Sequence, residues 1–213
     1  MNPYAQRVKR AIGLGLPGTD VQWEMASSDR MMQNYPRQRN GDSKIAAVLI
    51  LLYPVNGTVC TTFIQRPVYN GIHSGQISFP GGKVEAADKN IEATALREAA
   101  EETGVDPGSV TILGTLTPLY IYVSDTEVTP VVGWCDEQPR FTIDPGEVVH
   151  IIEAPLATLS DKSIISERPF MVREKEINVK YFDYNGAVIW GATAMILHEL
   201  ITILKRENTG FTL

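Results

Sequence analysis

The chain has 213 residues, 44% of them hydrophobic and 21% charged, and a formal net charge of −6. That length allows one sizeable core or at most two small ones, and the composition is that of a globular domain. The acidic balance and the lack of any basic run argue against nucleic acid as a partner. No apolar run is long enough to span a membrane, and Met1 to Arg7 lacks the apolar stretch of a secretory leader, so the expected location is the cytoplasm. Cys60 and Cys135 sit in apolar, strand-like stretches and are expected as reduced core residues.

In chain order, Asn2-Pro3 reads as the cap and first position of a short helix, with Tyr4, Val8 and Ala11 as its apolar stripe. Leu14 to Ser43 is polar and aperiodic, a covering segment with a short helix near Val21 to Ala26. Lys44 to Tyr53 reads as a buried strand bounded by Pro54, and Asn56-Gly57 as a hairpin turn into a strand over Thr58 to Gln65. Arg66 to Gly75 is expected as a loop and Gln76 to Phe79 as a short strand, broken by Pro80-Gly81-Gly82. Ile91 to Thr103 should be a helix ended by a left-handed Gly104, followed by a turn at Asp106-Pro107-Gly108.

Strands are expected at Val110 to Thr117, Leu119 to Val123, Val128 to Trp134 and Glu147 to Glu153, then a short helix over Pro155 to Ser160. Ile177 to Tyr184 and Ala187 to Trp190 flank a second Asn-Gly turn, and a closing helix runs from Gly191 to Lys205. Strands with helices set between them predict one α/β domain, a mixed β-sheet with helices on both faces. Its bounds are expected at 44–206, with 1–43 as the covering part of the same domain and 207–213 as a tail.

The chemistry concentrates in Arg97-Glu98-Ala99-Ala100-Glu101-Glu102-Thr103-Gly104. Residues three and four apart share a helix face, so Glu98 stands beside both Glu101 and Glu102. Carboxylates crowded in this way are either solvated or hold cations, and hard divalent ions such as Mg²⁺ take a few carboxylates, water and phosphate oxygens. Gly81-Gly82 upstream leaves room for a backbone bend beside the same turn. The carboxylates alone leave both readings open.

The longer pattern, Gly82 followed by Arg97-Glu98-Ala99-Ala100-Glu101-Glu102-Thr103-Gly104-Val105, resembles the Nudix box. The interval from Gly82 to Arg97 is one residue longer than in the general box, with Glu85 and Asp88 as the acidic residues within it. The coenzyme A diphosphatase branch of the family is similar in that spacing. It is also similar in Gly75-Gln76-Ile77-Ser78-Phe79-Pro80-Gly81-Gly82, with Arg66 and His73 at matching distances, and in Ile189-Trp190-Gly191-Ala192-Thr193-Ala194. Pro67 and Gly71 depart from the branch, which has a serine and a basic residue there.

The resemblance implies a Nudix-type α/β/α sandwich and a hydrolase that cuts a diphosphate with Mg²⁺ or Mn²⁺ as cofactor. Glu98 and Glu102 are implied as principal metal ligands, Glu101 as a further one, and the Gly82 carbonyl as completing the shell. Arg97 is implied to orient the glutamates, and Glu98 or a distant carboxylate to serve as base. Glu127 and Glu147 are candidates for that second role, although an ordinary surface position is the expectation for each. Arg66, His73, Gln76 and Lys83 are the candidate substrate contacts. Asp125 is expected as a turn residue, His150 and His198 as structural, and Tyr120, Tyr122 and Trp190 as core.

The implied partner is a small nucleotide substrate, with neither nucleic acid nor membrane, and the resemblance allows a homodimer. Coenzyme A cut to 3′,5′-ADP and 4′-phosphopantetheine is the leading reading. A different nucleoside diphosphate compound (ADP-ribose, NADH or a nucleoside triphosphate) is the alternative. A non-catalytic nucleotide sensor would be expected to lose the box carboxylates, all of which are present.

Overall fold

The computed structural model describes residues 2–32, 41–69, 74–172 and 174–208. Helix α1 (Pro3–Gly13) is capped by Asn2, whose side-chain oxygen accepts from the Tyr4 N–H at 2.7 Å. Its predicted stripe of Tyr4, Val8 and Ala11 is buried. The single short helix expected near Val21 to Ala26 is instead two, α2 (Thr19–Trp23) and α3 (Ser28–Met32). The covering segment from 33 to 40 lies outside the described residues.

Strand β1 (Lys44–Val55) continues past Pro54, where the sequence suggested a stop. The parallel neighbour has already ended by then, at Leu52 opposite Trp134, so proline's missing N–H leaves no ladder bond unmade on that side. The turn into β2 (Thr58–Gln65) uses positive φ at both Asn56 (49°) and Gly57 (81°). After β3 (Ile77–Ser78), Gly81-Gly82 does not simply break the chain. It forms β4 (Gly81–Lys83), antiparallel to β1 with Gly82 opposite Ala47. Helix α4 (Ile91–Thr103) has the predicted bounds, with Asn90 accepting from the Ala93 N–H at 2.8 Å and Gly104 at φ 70°.

The later elements are β5 (Thr111–Thr115), β6 (Leu119–Ile121), β7 (Thr126–Trp134), β8 (His150–Pro155) and α5 (Leu156–Leu159). There follow β9 (Ile165–Val172), β10 (Lys175–Tyr184), β11 (Ala187–Trp190) and α6 (Gly191–Arg206). The sequence reading had no strand where β9 lies. Pro169 masks it, and β9 tolerates the proline because it is the outer strand of its sheet. Glu147 was expected in a strand, but β8 begins only at His150 and Glu147 lies in the turn before it.

Two sheets result rather than one. The larger runs β3-β2-β1-β7-β5, with β4 on β1, β6 on β7 and β8 on β2; the smaller runs β11-β10-β9. The β1–β7 pair is parallel and the other pairs of the larger sheet are antiparallel, so that sheet is mixed. β1 is apolar throughout because both of its faces are covered. Ala46, Ile50 and Leu52 face a core shared with α1, α2 and α6. Ala47, Leu49 and Leu51 face Ala95 and Ala99 of α4. This is an α/β fold with a mixed sheet between helical layers. Among the described residues no helix is long and apolar enough to cross a membrane.

Candidate active site

Helix α4 meets the sheet through its alanines, and small side chains let it lie close. Ala95, Ala99 and Glu102 recur at the spacing of one helix face, so Glu102 occupies a position on the buried stripe. Its side chain is 2% exposed, against 15% for Glu98 and 55% for Glu101. One turn of helix therefore presents three carboxylates in three environments.

Each is held by named donors. Glu102 accepts from the Gly81 N–H at 2.8 Å and from the Arg66 guanidinium at 3.2 Å. Burial still dominates, and the Glu102 carboxyl is pushed up to about 7, with the charges of Glu98 and Glu147 adding to the rise. Glu98 is also raised, first by burial and then by Glu101 and Glu147, against the pull of Arg97. The Glu98 carboxylate lies so close to Gly82 that a Cβ there would stand 2.4 Å from it, so any side chain at this position would displace the carboxylate.

Arg97 is the hub. It reaches both oxygens of Asp88 at 3.0 Å, Glu98 and Glu101 at 3.0 Å each, and the Lys83 carbonyl at 2.9 Å. The guanidinium fork matches a carboxylate in this bidentate way and a lysine ammonium does not. The contact holds the Asp88 carboxyl well below the usual carboxylate range.

The carboxylates open into a cleft of about 1190 Å³. Its walls include Arg66, Gln76 and Lys83 among the sequence-derived substrate contacts; His73, with the neighbouring Gly71 and Ile72, lies outside the described residues. Arg66 also has partners of its own in the protein. Its guanidinium is engaged with Glu102, the Gly81 carbonyl at 3.2 Å and Ser78 at 3.3 Å, so it positions a carboxylate as much as it faces the cleft. Lys83 is exposed at the rim.

Of the two distant carboxylates, the fold brings in Glu147. The connection before β8 docks on the end of α4, with the Thr142 N–H donating to the Thr103 carbonyl at 2.8 Å and the Asp144 N–H to the Glu102 carbonyl at 3.3 Å. Glu147 thereby lines the cleft with Glu98 and Glu102. Strand alternation points Thr126 and Val128 of β7 into the cleft and leaves Glu127 off its walls.

Asp125 is the turn residue expected, at φ 48°, accepting from the Tyr120 hydroxyl and the Ser43 hydroxyl at 2.7 Å each. Tyr120 is core, but Tyr122 is 48% exposed and Trp190 lines the cleft with Phe170 stacked on it at 5.7 Å. The core expectation for those two is corrected, because Tyr122 falls in a turn that ends β6 early and Trp190 at the mouth of α6. His198 contacts Glu24 at 2.9 Å, and His150 is exposed at the start of β8. Cys60 and Cys135 are buried free thiols whose acidity burial suppresses.

The donor chemistry suits a hard divalent cation. After burial, the charges of Glu98 and Glu147 raise the proton affinity of Glu102, and those of Glu101 and Glu147 raise that of Glu98, which marks a place short of positive charge. Arg66 pairs with Glu102 and Arg97 with Glu98, and among the described residues no three acidic, imidazole or thiol groups are already gathered into a coordination shell.

The NUDIX domain model matches residues 43–172, more than half of the chain. The chain belongs to the Nudix family. Nudix hydrolase 22, chloroplastic, of Arabidopsis thaliana is 37% identical over 176 residues, which cover 79% of this chain and 58% of that protein. An uncharacterized Nudix hydrolase NudL of Photorhabdus laumondii is 34% identical over 171 residues, covering 78% of this chain and 87% of that one. The chain thus spans about three fifths of the length of the plant Nudix relatives it matches. Among solved structures, a MutT/nudix family protein from Enterococcus faecalis aligns at a TM-score of 0.48 and 15% identity, covering 88% of this chain and 73% of that one.

Proposed function

We propose that this Nudix protein hydrolyses a diphosphate linkage with the help of Mg²⁺ or Mn²⁺, and that coenzyme A or an acyl derivative is its substrate. The observation that carries the reading is the convergence of Glu98 and Glu102 on Gly81-Gly82, faced across the cleft by Glu147. Glu98, Glu102 and the Gly82 carbonyl would hold the cation, with Glu101 at the solvent edge. The cation supplies charge neutralisation at the diphosphate and acidifies the attacking water.

The chain's own groups supply the rest. Arg97 fixes the rotamer of Glu98 by bridging it to Asp88, and Arg66 does the same for Glu102 from the opposite side. Glu147 stands on a turn rather than on the crowded helix, so its carboxylate is the proposed acceptor for the proton of water. Lys83 and Gln76 line the cleft and are the proposed donors to the non-bridging oxygens. Products would be 3′,5′-ADP and the 4′-phosphopantetheine half.

The test is a substrate panel with Mg²⁺ and with Mn²⁺, products identified by mass. Coenzyme A should be cut with a higher kcat/KM than ADP-ribose or NADH, since that ratio compares transition-state binding. Equal or better turnover of ADP-ribose would replace the substrate and keep the diphosphate chemistry.

A further inference from the structure

The cleft does not end at the carboxylates. It continues past the start of β1 to a wall built from α3, the 3₁₀ turn Tyr122–Ser124 and the first residues of β10. This end carries two cations, Arg30 and Lys175. Strand alternation places Lys175 and Ile177 on the cleft side of β10, and both line it. Helix α3 is seated against the same strand, with the Asn178 N–H donating to the Ser28 hydroxyl at 3.0 Å.

Arg30 is short of counter-charge. Its guanidinium donates to the Tyr120 carbonyl and lies 5.2 Å from the centre of the Trp23 ring, and its Nε is closed off without an acceptor. No carboxylate stands within ion-pair distance of Arg30 or of Lys175 among the described residues. Asp29 is the acidic neighbour on the same wall, and it accepts from the Ser27 hydroxyl at 2.6 Å. Burial weakens the hold of Arg30 on its proton, against the smaller pull of Asp29. Half-exposed Tyr122 lines the same end of the cleft.

The register gives the separation. Tyr120 is level with Glu127 and Ile45, two residues along β1 from Ala47 and three strands across from Gly82. With usual strand spacings the Tyr120 carbonyl that holds Arg30 is on the order of 15 Å from Gly82. That is wider than a diphosphate, and it leaves room for a nucleoside between the two positions.

We propose that the end of the cleft formed by Arg30, Lys175 and the Tyr122–Ser124 turn is a second anion subsite, which takes a phosphate monoester carried on the nucleoside half of the substrate. The proposal rests on reading the carboxylate end as the place where the diphosphate is cut. It assigns to Arg30 and Lys175 the cationic role that Arg66, committed to Glu102, is poorly placed to fill.

The deciding measurement is equilibrium binding of adenosine 3′,5′-bisphosphate and of 5′-AMP, compared between wild type, Arg30→Gln and Lys175→Gln. Wild type should bind the bisphosphate at least about tenfold more tightly, as charge-assisted contacts to an added phosphate would give. Each variant should lose most of that advantage while binding 5′-AMP as before. Equal affinity for the two nucleotides in wild type overturns the subsite, as does an advantage that survives both substitutions. Should Arg30→Gln fail to fold, exposed Lys175 decides alone: its loss must shrink the bisphosphate advantage by about threefold or more, or the subsite is wrong. Tight bisphosphate binding without coenzyme A cleavage would leave the subsite standing and overturn the proposed activity. Cleavage of coenzyme A and dephospho-coenzyme A at equal kcat/KM, with equal binding of the two nucleotides, would do the reverse.

Discussion

Glu102 shows most clearly what a single residue is doing in this cleft. A carboxylate on the buried stripe of α4 costs stability unless something positive faces it, and Arg66 with one backbone N–H meets only part of that need. Its folded-state value of about 7 lies above the ordinary glutamate value of 4.5, so folding takes up a proton between those limits. Without metal, the contribution of Glu102 to stability therefore falls as pH rises through that window. A cation held by Glu102, as proposed, would compete with the same proton, so it should bind more tightly above pH 7. The rise in Tm on adding Mg²⁺ or Mn²⁺ should be larger at pH 8 than at pH 6 and should lose most of that pH dependence in Glu102→Gln, the remainder coming from Glu98, as read by scanning calorimetry. Glu199, also raised by burial, is remote from the cleft and cancels when only the metal-induced shift is compared. For activity, Glu98→Gln should reduce kcat/KM by about a hundredfold or more, and Glu101→Gln by much less because Glu101 is half solvated. Equal losses at the two positions would contradict the environments described.

At the scale of elements, the site depends on how β4, α4 and the connection before β8 meet. Gly82 permits the contact of β4 with the Glu98 carboxylate, so Gly82→Ala should displace Glu98 and abolish most activity while leaving the far-UV circular dichroism unchanged. Retained activity would show that the carboxylate has another place to go. Gly104 serves two elements at once. It ends α4 in the left-handed region, and a Cβ there would stand 2.8 Å from the Thr142 carbonyl oxygen. Gly104→Ala should cost about 1–2 kcal/mol from backbone strain, seen as a lower denaturant midpoint. It should also lower kcat, because the displaced connection carries Glu147. An Asn at 104 tolerates the backbone but not the contact, so it should recover part of the stability and little of the activity.

Across the whole molecule, α2 is tied to the last helix through a buried polar knot. Glu199 of α6 accepts from the Gln22 amide at 2.8 Å, the Thr117 hydroxyl at 2.5 Å and the Gly18 N–H at 3.3 Å. Glu199→Ala would strand these donors, at about 1–3 kcal/mol for each buried group left unpaired. A clear fall in Tm is expected, with kcat near wild type at temperatures where the chain stays folded. A proportionate loss of kcat would mean that this knot also shapes the cleft.

What could be read along the chain was local. The bounds of α4, its left-handed cap at Gly104, the Asn2 cap of α1 and both Asn-Gly turns follow from nearest-neighbour rules, since cap, turn and helix period involve residues a few positions apart. The grouping of Glu98, Glu101 and Glu102 was legible for the same reason, and the buried place of Glu102 could have been read from its spacing with Ala95 and Ala99. Where the strands paired was not legible. β9 was hidden by Pro169, which only an outer strand tolerates, and outer strands are defined by what lies beside them. Arg66 reaches Glu102, Glu147 reaches the cleft from a docked turn, and Arg30 of α3 meets the Tyr120 carbonyl of β6. Those meetings depend on strand order and on which face each strand turns inward, and no local rule carries either. The sequence by itself determined which carboxylates share a helix turn. Only the tertiary structure decided which was buried, which arginine held it, and which distant groups faced it across the cleft, because burial and long-range charge exist only once the layers have packed.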